Sequence, residues 1–199
     1  MTRIDVINTL IHARGYKTYL EIGCQADVAF RSIAAEHKVG VDPVSGGTVR
    51  MTSDTYFATC TDLYDLIFID GDHHHAQVLR DIKNALFHLA PGGSIVMHDC
   101  LPPDARHEGL DLCGTAWRAF LQTRERPNLE SFTCDFDYGV GVVRPMPNSA
   151  LVKTGLNVET LTYSHFVEHR KAWMRPVAAI TLAKLAAAPD DQWAGILAG

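Results

Sequence analysis

Two apolar segments of the sequence end in a group of acidic and histidine residues. The first segment is LIFIDGDHHH at 66–75, and the second is SIVMHDC at 94–100. The polar residues at their ends are Asp70, Asp72, His73, His74, His75, His98 and Asp99. Carboxylates bind hard cations, and a histidine gains or loses its proton near neutral pH. The two segments are therefore candidates for a metal site, an acid–base catalytic site, or the polar start of a helix.

Five short apolar segments indicate the strands of a sheet that would position these residues. Each is continuous rather than alternating in apolar residues, which is typical of a strand buried on both faces. They are TYLEIG (18–23), KVGVD (38–42), TVRMT (48–52), DLIFID (65–70) and GSIVMHD (93–99). Helical patterns lie at 27–36, with Asp27 as the expected N-cap, at 76–89 and at 114–125. Strands that alternate with helices predict an α/β fold with a Rossmann-like, doubly wound, mostly parallel sheet flanked by helices.

The chain after residue 100 has a different pattern. The segments LESFTCDF and GVGVVRP predict an antiparallel pair of strands at 129–143. The tail is mostly helical in pattern. We therefore predict a cofactor-binding domain at 1–150 and a helical C-terminal extension of the same domain at 151–199. The apolar, alanine-rich stretch PVAAITLAKLAAA in the tail makes a homodimer a reasonable expectation.

Composition excludes several classes of protein. The chain has 199 residues, of which 47% are hydrophobic, and this suits a globular domain with a real core. Its net charge is −5 and its Lys and Arg residues are scattered, so we predict no nucleic-acid partner. No apolar run approaches the roughly 20 residues that span a bilayer, and the first residues do not resemble a signal peptide. We expect a cytoplasmic protein without a membrane partner. Its five cysteines form no CxxC pair and are predicted to be free thiols.

The turn after the first predicted strand indicates which cofactor the fold would bind. Ligands of open α/β sheets bind beyond the carboxyl ends of the strands. A dinucleotide site would need GxGxxG, but this turn reads EIGCQADVAF, with Gly23 as its only glycine. Glu21 and Asp27 would repel a pyrophosphate, whereas they suit a cationic cofactor without phosphate, such as S-adenosylmethionine. Asp42 ends the second strand, where an acid can grip ribose hydroxyls; the alternative is a turn residue before Pro43.

Several motifs together resemble the class I S-adenosylmethionine-dependent methyltransferases, and in particular bacterial small-molecule and sugar O-methyltransferases. The motifs are YLEIGC, VGVDP, TSDTYF, YDLIFIDGDH and LAPGGSIVMHDCLPP, which together span 18–103. The resemblance implies a seven-stranded sheet in which the last two strands form a hairpin. It also implies the cofactor-binding residues, which are Glu21 and Gly23 under the methionine part, Asp42 at the ribose, Ser53 and Asp54 at the adenine, and Asp70. This chain has QAD where many members carry a second glycine in the first turn.

The ends of the fourth and fifth predicted strands suggest a metal site. These strands are neighbours in the expected topology, so Asp70 and Asp99 should lie close together, and two close carboxylates need a cation or a shared proton. Oxygen ligands favour Mg²⁺ or Mn²⁺. Similar catechol-type methyltransferases carry an Asn where this chain has Cys100, so His98 or Asp72 would have to complete the metal shell. The alternative is that the two carboxylates contact the cofactor or cap helices.

A histidine is the expected general base, because its pKa lies close to neutral pH. His73 occupies the position at which the catechol-type relatives carry a catalytic lysine, and His98 is the second candidate. His74 and His75 are expected only to begin a helix. Trp117 and Tyr138 would line the acceptor site or, alternatively, pack in the core.

These observations predict an S-adenosylmethionine-dependent O-methyltransferase, assisted by Mg²⁺ or Mn²⁺, that methylates a hydroxyl of a small molecule or saccharide. The expectation of a saccharide acceptor rests on the resemblance to sugar O-methyltransferases. Two other hypotheses stay open. One is a non-catalytic binding or scaffold protein with the same fold, and the other is an NAD(P)-dependent oxidoreductase, which the missing GxGxxG disfavours.

Overall fold

The computed structural model describes all 199 residues and contains one seven-stranded sheet. The strands are β1 Thr18–Ile22, β2 His37–Val41, β3 Tyr64–Ile69, β4 Leu89–Met97, β5 Glu130–Cys134, β6 Val140–Arg144 and β7 Pro176–Val177. Their order is β2-β1-β3-β4-β6-β5-β7. The first four strands are parallel, and β6 runs antiparallel to both β4 and β5. The predicted α/β class and the predicted antiparallel pair are both confirmed.

Eight helices cover the two faces of the sheet. They are α1 Arg3–Arg14, α2 Val28–Ser32, α3 Ser53–Thr59, α4 His75–Phe87, α5 Ala116–Arg124, α6 Tyr163–Met174, α7 Ala179–Ala187 and α8 Trp193–Ala198. Helices α1, α2, α7 and α8 contribute to the apolar core on one face, and α3 to α6 contribute to the core on the other. Neighbouring strand residues such as Phe68 and Ile69 belong to opposite cores. Burial on both faces explains why the strands are continuously apolar.

The C-terminal tail packs against both faces of the sheet. Strand β7 adds to the edge by pairing in parallel with β5. Phe166 on α6 is fully buried in one core, and Trp193 on α8 is fully buried in the other. This packing agrees with an extension of the same domain, although the boundary at 150 stays a prediction. None of the helices is long and apolar enough to cross a membrane.

Two local predictions are wrong. The segment 48–52 forms no strand, because only Val49 makes a β-bridge, to Val41. The seventh strand of the sheet is instead the short β7, so the hairpin is not the last pair along the chain. The first predicted helix is also shorter than 27–36, and Asp27 makes no capping hydrogen bond. Its carboxylate accepts from the backbone N–H of Gly47 at 2.6 Å. A long-range partner therefore replaces the local one.

Candidate active site

The carboxyl ends of the parallel strands open into a cleft of about 1180 Å³. Single-ligand pockets usually measure about 300–1,000 Å³, so this cleft has room for a cofactor and an acceptor together. It is lined by every residue predicted for the site, namely Glu21, Gly23, Asp42, Ser53, Asp54, Asp70, Asp72, His73, His98 and Asp99. The lining contains two further acids, Asp81 and Asp111, but only one arginine, Arg3, and no lysine. Its charge therefore suits a cationic ligand.

Gly23 allows the ends of β1 and β3 to approach each other closely. Its φ is +87°, a left-handed conformation that glycine adopts at little cost. A Cβ at this position would lie 2.3 Å from the carbonyl oxygen of Asp70. The backbone of the cofactor turn is thus packed against the backbone that carries Asp70. No other residue fits here without moving one of the two strands.

Glu21 lies buried near the end of β1 and lines the cleft. The hydroxyl of Tyr19 donates to its Oε2 atom at 2.5 Å. Burial, opposed by this hydrogen bond, raises the pKa of Glu21 to about 7. A buried carboxyl with this pKa would gain from a cation placed beside it, and the ammonium of a methionine moiety is such a cation.

The carboxylate of Asp42 is held by four backbone amides. Its Oδ2 atom accepts from the N–H groups of Cys24 and Gln25, both at 3.0 Å. Its Oδ1 atom accepts from Val44 at 2.7 Å and from Ser45 at 2.8 Å. Burial opposes the charge, but the amides outweigh it and lower the pKa of Asp42. In this conformation the carboxylate holds two loops together. This agrees with the alternative role of Asp42 as a turn residue before Pro43, whereas its contact with the ribose stays a prediction.

The opposite wall of the cleft offers acceptors for an amino group. Ser53 and Asp54 begin α3, and the Nε2 atom of Gln77 on α4 lies 3.3 Å from Ser53 Oγ and from Asp54 Oδ1. Asp81 is one turn further along α4 and accepts from the same Nε2 atom at 3.1 Å. Its other carboxylate oxygen, Oδ2, is buried without a hydrogen-bond partner. An adenine amino group would satisfy that oxygen, so the residues present fit an adenosine cofactor.

Sequence reasoning missed Gln77 and Asp81. The signal was present in the helical pattern, because the two are polar residues at i and i+4 that lie beside an apolar stripe. Polar side chains on the inner side of a helix need hydrogen-bond partners, and here both side chains line the cleft.

The fourth and fifth predicted strands are β3 and β4 of the structure, and their carboxyl ends do bring acids and histidines together. His98 Nδ1 lies 3.3 Å from Asp70 Oδ1 and 3.2 Å from Asp99 Oδ2. His73 Nε2 lies 3.4 Å from Asp99 Oδ2 and 3.9 Å from Asp70 Oδ1. Asp99 itself has a φ of +61°, so a strained backbone turns its side chain into this cluster.

His98 is enclosed by carboxylates on both sides. Its Nε2 atom lies 3.6 Å from Asp137 Oδ1, and Arg3 Nη1 is 3.3 Å from the same nitrogen. Burial opposes protonation, but Asp137, Asp70 and Asp99 outweigh it and raise the pKa of His98 to about 11. Acids therefore lie near both ring nitrogens, and they favour the protonated form of the ring.

Arg3 and Asp137 are further site residues that the sequence did not reveal. The backbone N–H of Arg3 donates to Asp137 Oδ2 at 2.7 Å, and Arg3 Nε lies 3.4 Å from Asp70 Oδ2. The two residues are 134 positions apart. No local pattern predicts such a contact, because it depends on how α1 and the β5–β6 hairpin meet at the cleft.

Asp70, His73 and Asp99 each offer one ligand atom, and these atoms lie within 4.8 Å of one another. Two carboxylates and one imidazole fit a divalent ion, and the imidazole suits Mn²⁺ better than Mg²⁺. Asp72 is outside this set, because its Oδ1 atom is 2.6 Å from His74 Nδ1 at the exposed start of α4. His98 lies between the carboxylates and is not one of the three.

Of the remaining candidates, which are His74, His75, Trp117 and Tyr138, only Tyr138 lies at the acceptor side of the cleft. His74 is exposed, and His75 Nε2 lies 3.1 Å from Gln122 Oε1, away from the acidic cluster. Trp117 is completely buried and belongs to the core. Tyr138 is 50% exposed and lines the cleft. Of the two aromatic residues, only Tyr138 is therefore available to an acceptor.

Part of the chain matches the model of a known protein family. Residues 11–100 match the model of a family described as a methyltransferase domain. A search of curated proteins finds no match.

Solved structures share the fold at low sequence identity. The cofactor-bound protein Rv0187 from MTB is 18% identical over 74% of this chain and 82% of its own, with a TM-score of 0.57. The O-methyltransferase TomG from Streptomyces achromogenes, in complex with SAM, is 13% identical over 72% of this chain and 79% of its own, with a TM-score of 0.55. An O-methyltransferase from Bacillus cereus in complex with SAH is 15% identical over 71% and 78%, with a TM-score of 0.51.

The sheet order and the cleft at its carboxyl edge define a Rossmann-like methyltransferase fold. The family match extends over 90 of the 199 residues, so residues 11–100 are similar to a methyltransferase domain, in agreement with the motifs of the sequence.

Proposed function

We propose that this chain is an S-adenosylmethionine-dependent methyltransferase that acts on oxygen. It would transfer a methyl group to a hydroxyl of a small molecule or saccharide, with the assistance of a divalent metal ion. The observation that carries the proposal is the cluster of Asp70, His73 and Asp99, which lies in the same cleft as the cofactor turn. When bound, the cofactor supplies an electrophilic methyl group on a sulfonium, which leaves as a neutral thioether. The protein must then position the hydroxyl and take its proton.

His73 has the geometry of a general base. Its Nδ1 atom lies 3.2 Å from the carbonyl oxygen of Leu110, which can only accept, so Nδ1 carries the hydrogen. In the neutral ring Nε2 therefore keeps its lone pair, and this atom faces the carboxylates. Asp70 and Asp99, opposed by burial, raise the pKa of His73 and stabilise its protonated form. As the acceptor oxygen forms its bond to the methyl carbon, its proton passes to Nε2.

Metal assistance would act on the same hydroxyl by another route. An ion held by Asp70 and Asp99 would lower the pKa of the hydroxyl and orient it. If Nε2 of His73 were the third ligand, its lone pair would no longer be available for the proton. Metal ligation and base catalysis by His73 are therefore alternatives. His98 is a weaker candidate for the base, because acids face both of its nitrogens.

The test is methyl transfer from labelled S-adenosylmethionine to a panel of hydroxylated aromatic compounds and glycosides, with EDTA or with added Mn²⁺. The His73→Gln variant should lose at least about 100-fold in rate, a typical contribution of a general base. Titration of Mn²⁺ into the wild type and into Asp99→Asn, followed by electron paramagnetic resonance, reports on metal binding without reference to activity.

The outcomes separate the hypotheses. Full activity in EDTA would remove the metal from the proposal and leave His73 as the base. Binding of S-adenosylhomocysteine without any transfer, in the wild type and variants alike, would favour the non-catalytic scaffold. A thermal shift with NAD but not with S-adenosylhomocysteine would favour the oxidoreductase. The cytoplasmic location and the homodimer stay predictions from the sequence.

A further inference from the structure

The tip of the β5–β6 hairpin has an unusual backbone. Asp137, Tyr138 and Gly139 have φ values of +50°, +57° and +86°, so three successive residues are left-handed. This conformation is strained for a bulky residue such as tyrosine. The tip is nevertheless well fixed, because Leu101 N donates to Tyr138 O at 2.7 Å and Cys100 N donates to Gly139 O at 2.9 Å.

Burial does not compensate for the strain at Tyr138. The residue is 50% exposed, whereas most other aromatic residues near the sheet are buried. Asparagine or glycine would adopt the same turn more easily. A strained and half-exposed aromatic residue at the edge of a reactive cluster indicates that its ring has a purpose other than stability.

The ring of Tyr138 forms one side of an aromatic wall. It stacks on His107 with ring centroids 5.6 Å apart and an interplanar angle of 28°. It also meets His98 edge-on, with centroids 6.3 Å apart. Leu110 and Leu112 line the same cleft and are nearly half exposed. Since His73 is hydrogen-bonded to the carbonyl of Leu110, this aromatic and apolar surface adjoins the proposed base.

The charges around this surface discriminate against anions. Arg3 is the only arginine or lysine in the lining, and it is engaged by Asp70 and Asp137. Arg106 lies beside His107, but it is 3.5 Å from Asp104 on the exposed outer surface. An acceptor with a phosphate or carboxylate would therefore find no free cation in the cleft and would face its acids.

We infer that Tyr138, stacked on His107, is the acceptor-binding wall of the cleft, and that it selects an uncharged, hydroxylated ring with a flat apolar face. The inference rests on the proposed O-methyltransferase function and names the class of acceptor for it. An aromatic ring and the C–H face of a pyranose both have this chemistry, and the experiment below distinguishes them.

The experiment measures binding of small probes to the full chain saturated with S-adenosylhomocysteine, by ligand-observed NMR. The neutral probes are catechol and methyl glucopyranoside, and their anionic counterparts are protocatechuate and glucose phosphate. Tyr138→Phe keeps the ring, and Tyr138→Asn removes it while suiting the left-handed backbone. Phe87→Ala is the matched control, because Phe87 is 82% exposed and lies outside the cleft.

We expect at least one neutral probe to bind more tightly than its anionic counterpart. Tyr138→Asn should weaken that binding roughly three- to tenfold, the effect of losing one aromatic contact, whereas Tyr138→Phe and Phe87→Ala should bind as the wild type does. Affinity for S-adenosylhomocysteine should be unchanged, and the Tm of Tyr138→Asn should be equal or higher.

Four results would overturn the inference. Two concern the wild type: it binds neither neutral probe, or it binds the anionic probes more tightly than the neutral ones. The other two concern Tyr138→Asn: it binds the neutral probes as tightly as the wild type does, or it loses both Tm and cofactor affinity. The last would make Tyr138 a structural residue. Failure of the wild type to bind S-adenosylhomocysteine is a separate result, and it would contradict the proposed function itself.

Discussion

Replacing Gly23 with alanine should destabilise the protein by two separable effects. The left-handed conformation at φ +87° costs an L-residue about 1–2 kcal/mol. The new Cβ would also lie 2.3 Å from the carbonyl oxygen of Asp70, which is backbone and cannot rotate away. Overpacking of this kind costs about 1–3 kcal/mol. We therefore expect Gly23→Ala to lower the free energy of unfolding by about 2–5 kcal/mol, out of a typical total of about 5–15 kcal/mol.

Gly15 provides the matched control for the backbone effect. It has a φ of +66°, but a Cβ there would meet nothing within 4 Å. Gly15→Ala should therefore show only the conformational cost, about 1–2 kcal/mol. The difference between the two variants isolates the contact between Gly23 and Asp70.

Urea denaturation, followed by circular dichroism, measures both variants against the wild type. Gly23→Ala should also bind S-adenosylhomocysteine more weakly, because the strand end that carries Asp70 must move, whereas Gly15→Ala should bind it normally. If the two variants lose the same stability within about 0.5 kcal/mol, the contact between residue 23 and the carbonyl oxygen of Asp70 adds no cost, and the reasoning is refuted. Free-energy changes at distant, independent sites agree to about this accuracy.

Three further predictions concern the cleft and the core. The affinity for S-adenosylhomocysteine should fall as the pH drops from about 8 to about 6, because Glu21, with a pKa of about 7, becomes neutral and no longer attracts the ligand's ammonium. Calorimetry on Glu21→Gln should show that this dependence is reduced, and an unchanged dependence would count against Glu21. Asp42→Asn should lower the free energy of unfolding by about 1–3 kcal/mol in urea titration, because an amide group cannot accept all four backbone hydrogen bonds. Arg124→Met should lower it by at least about 1–3 kcal/mol, because three backbone carbonyls lose the buried guanidinium as their donor; a loss below 1 kcal/mol would contradict this.

The features that the sequence predicted well are those with a local pattern. Continuous apolar segments marked the buried strands, and the polar residues that end them, Asp70 and Asp99, do lie together at one edge of the sheet. Parallel strands bring their carboxyl ends to the same edge, so position along the chain predicts proximity in space. The antiparallel pair after residue 129 followed from two short apolar segments with a tight connection.

The features that the sequence did not predict depend on partners outside the local segment. Val49 sits in a segment with strand-like composition, yet the neighbouring amides of Thr48 and Val49 both turn to the carbonyl of Gly40, and no ladder forms. Asp27 has the right residue type for a helix cap, but the amide of Gly47 takes its carboxylate. Arg3 enters the site from the first helix. In each case the deciding partner lies outside the local segment, and local propensity cannot report it.

Asp70 connects the two halves of the cleft. Its carbonyl oxygen is packed against Gly23 on the cofactor side, and its carboxylate faces Arg3, His73 and His98 on the acceptor side. A shift of this one peptide would therefore alter cofactor binding and acid–base geometry together.

The charge of the cleft favours a cationic cofactor over an anionic ligand. Because its acids are balanced only by Arg3 and the histidines, an anionic ligand would have to displace Arg3 from two carboxylates, whereas a cationic cofactor adds the missing positive charge.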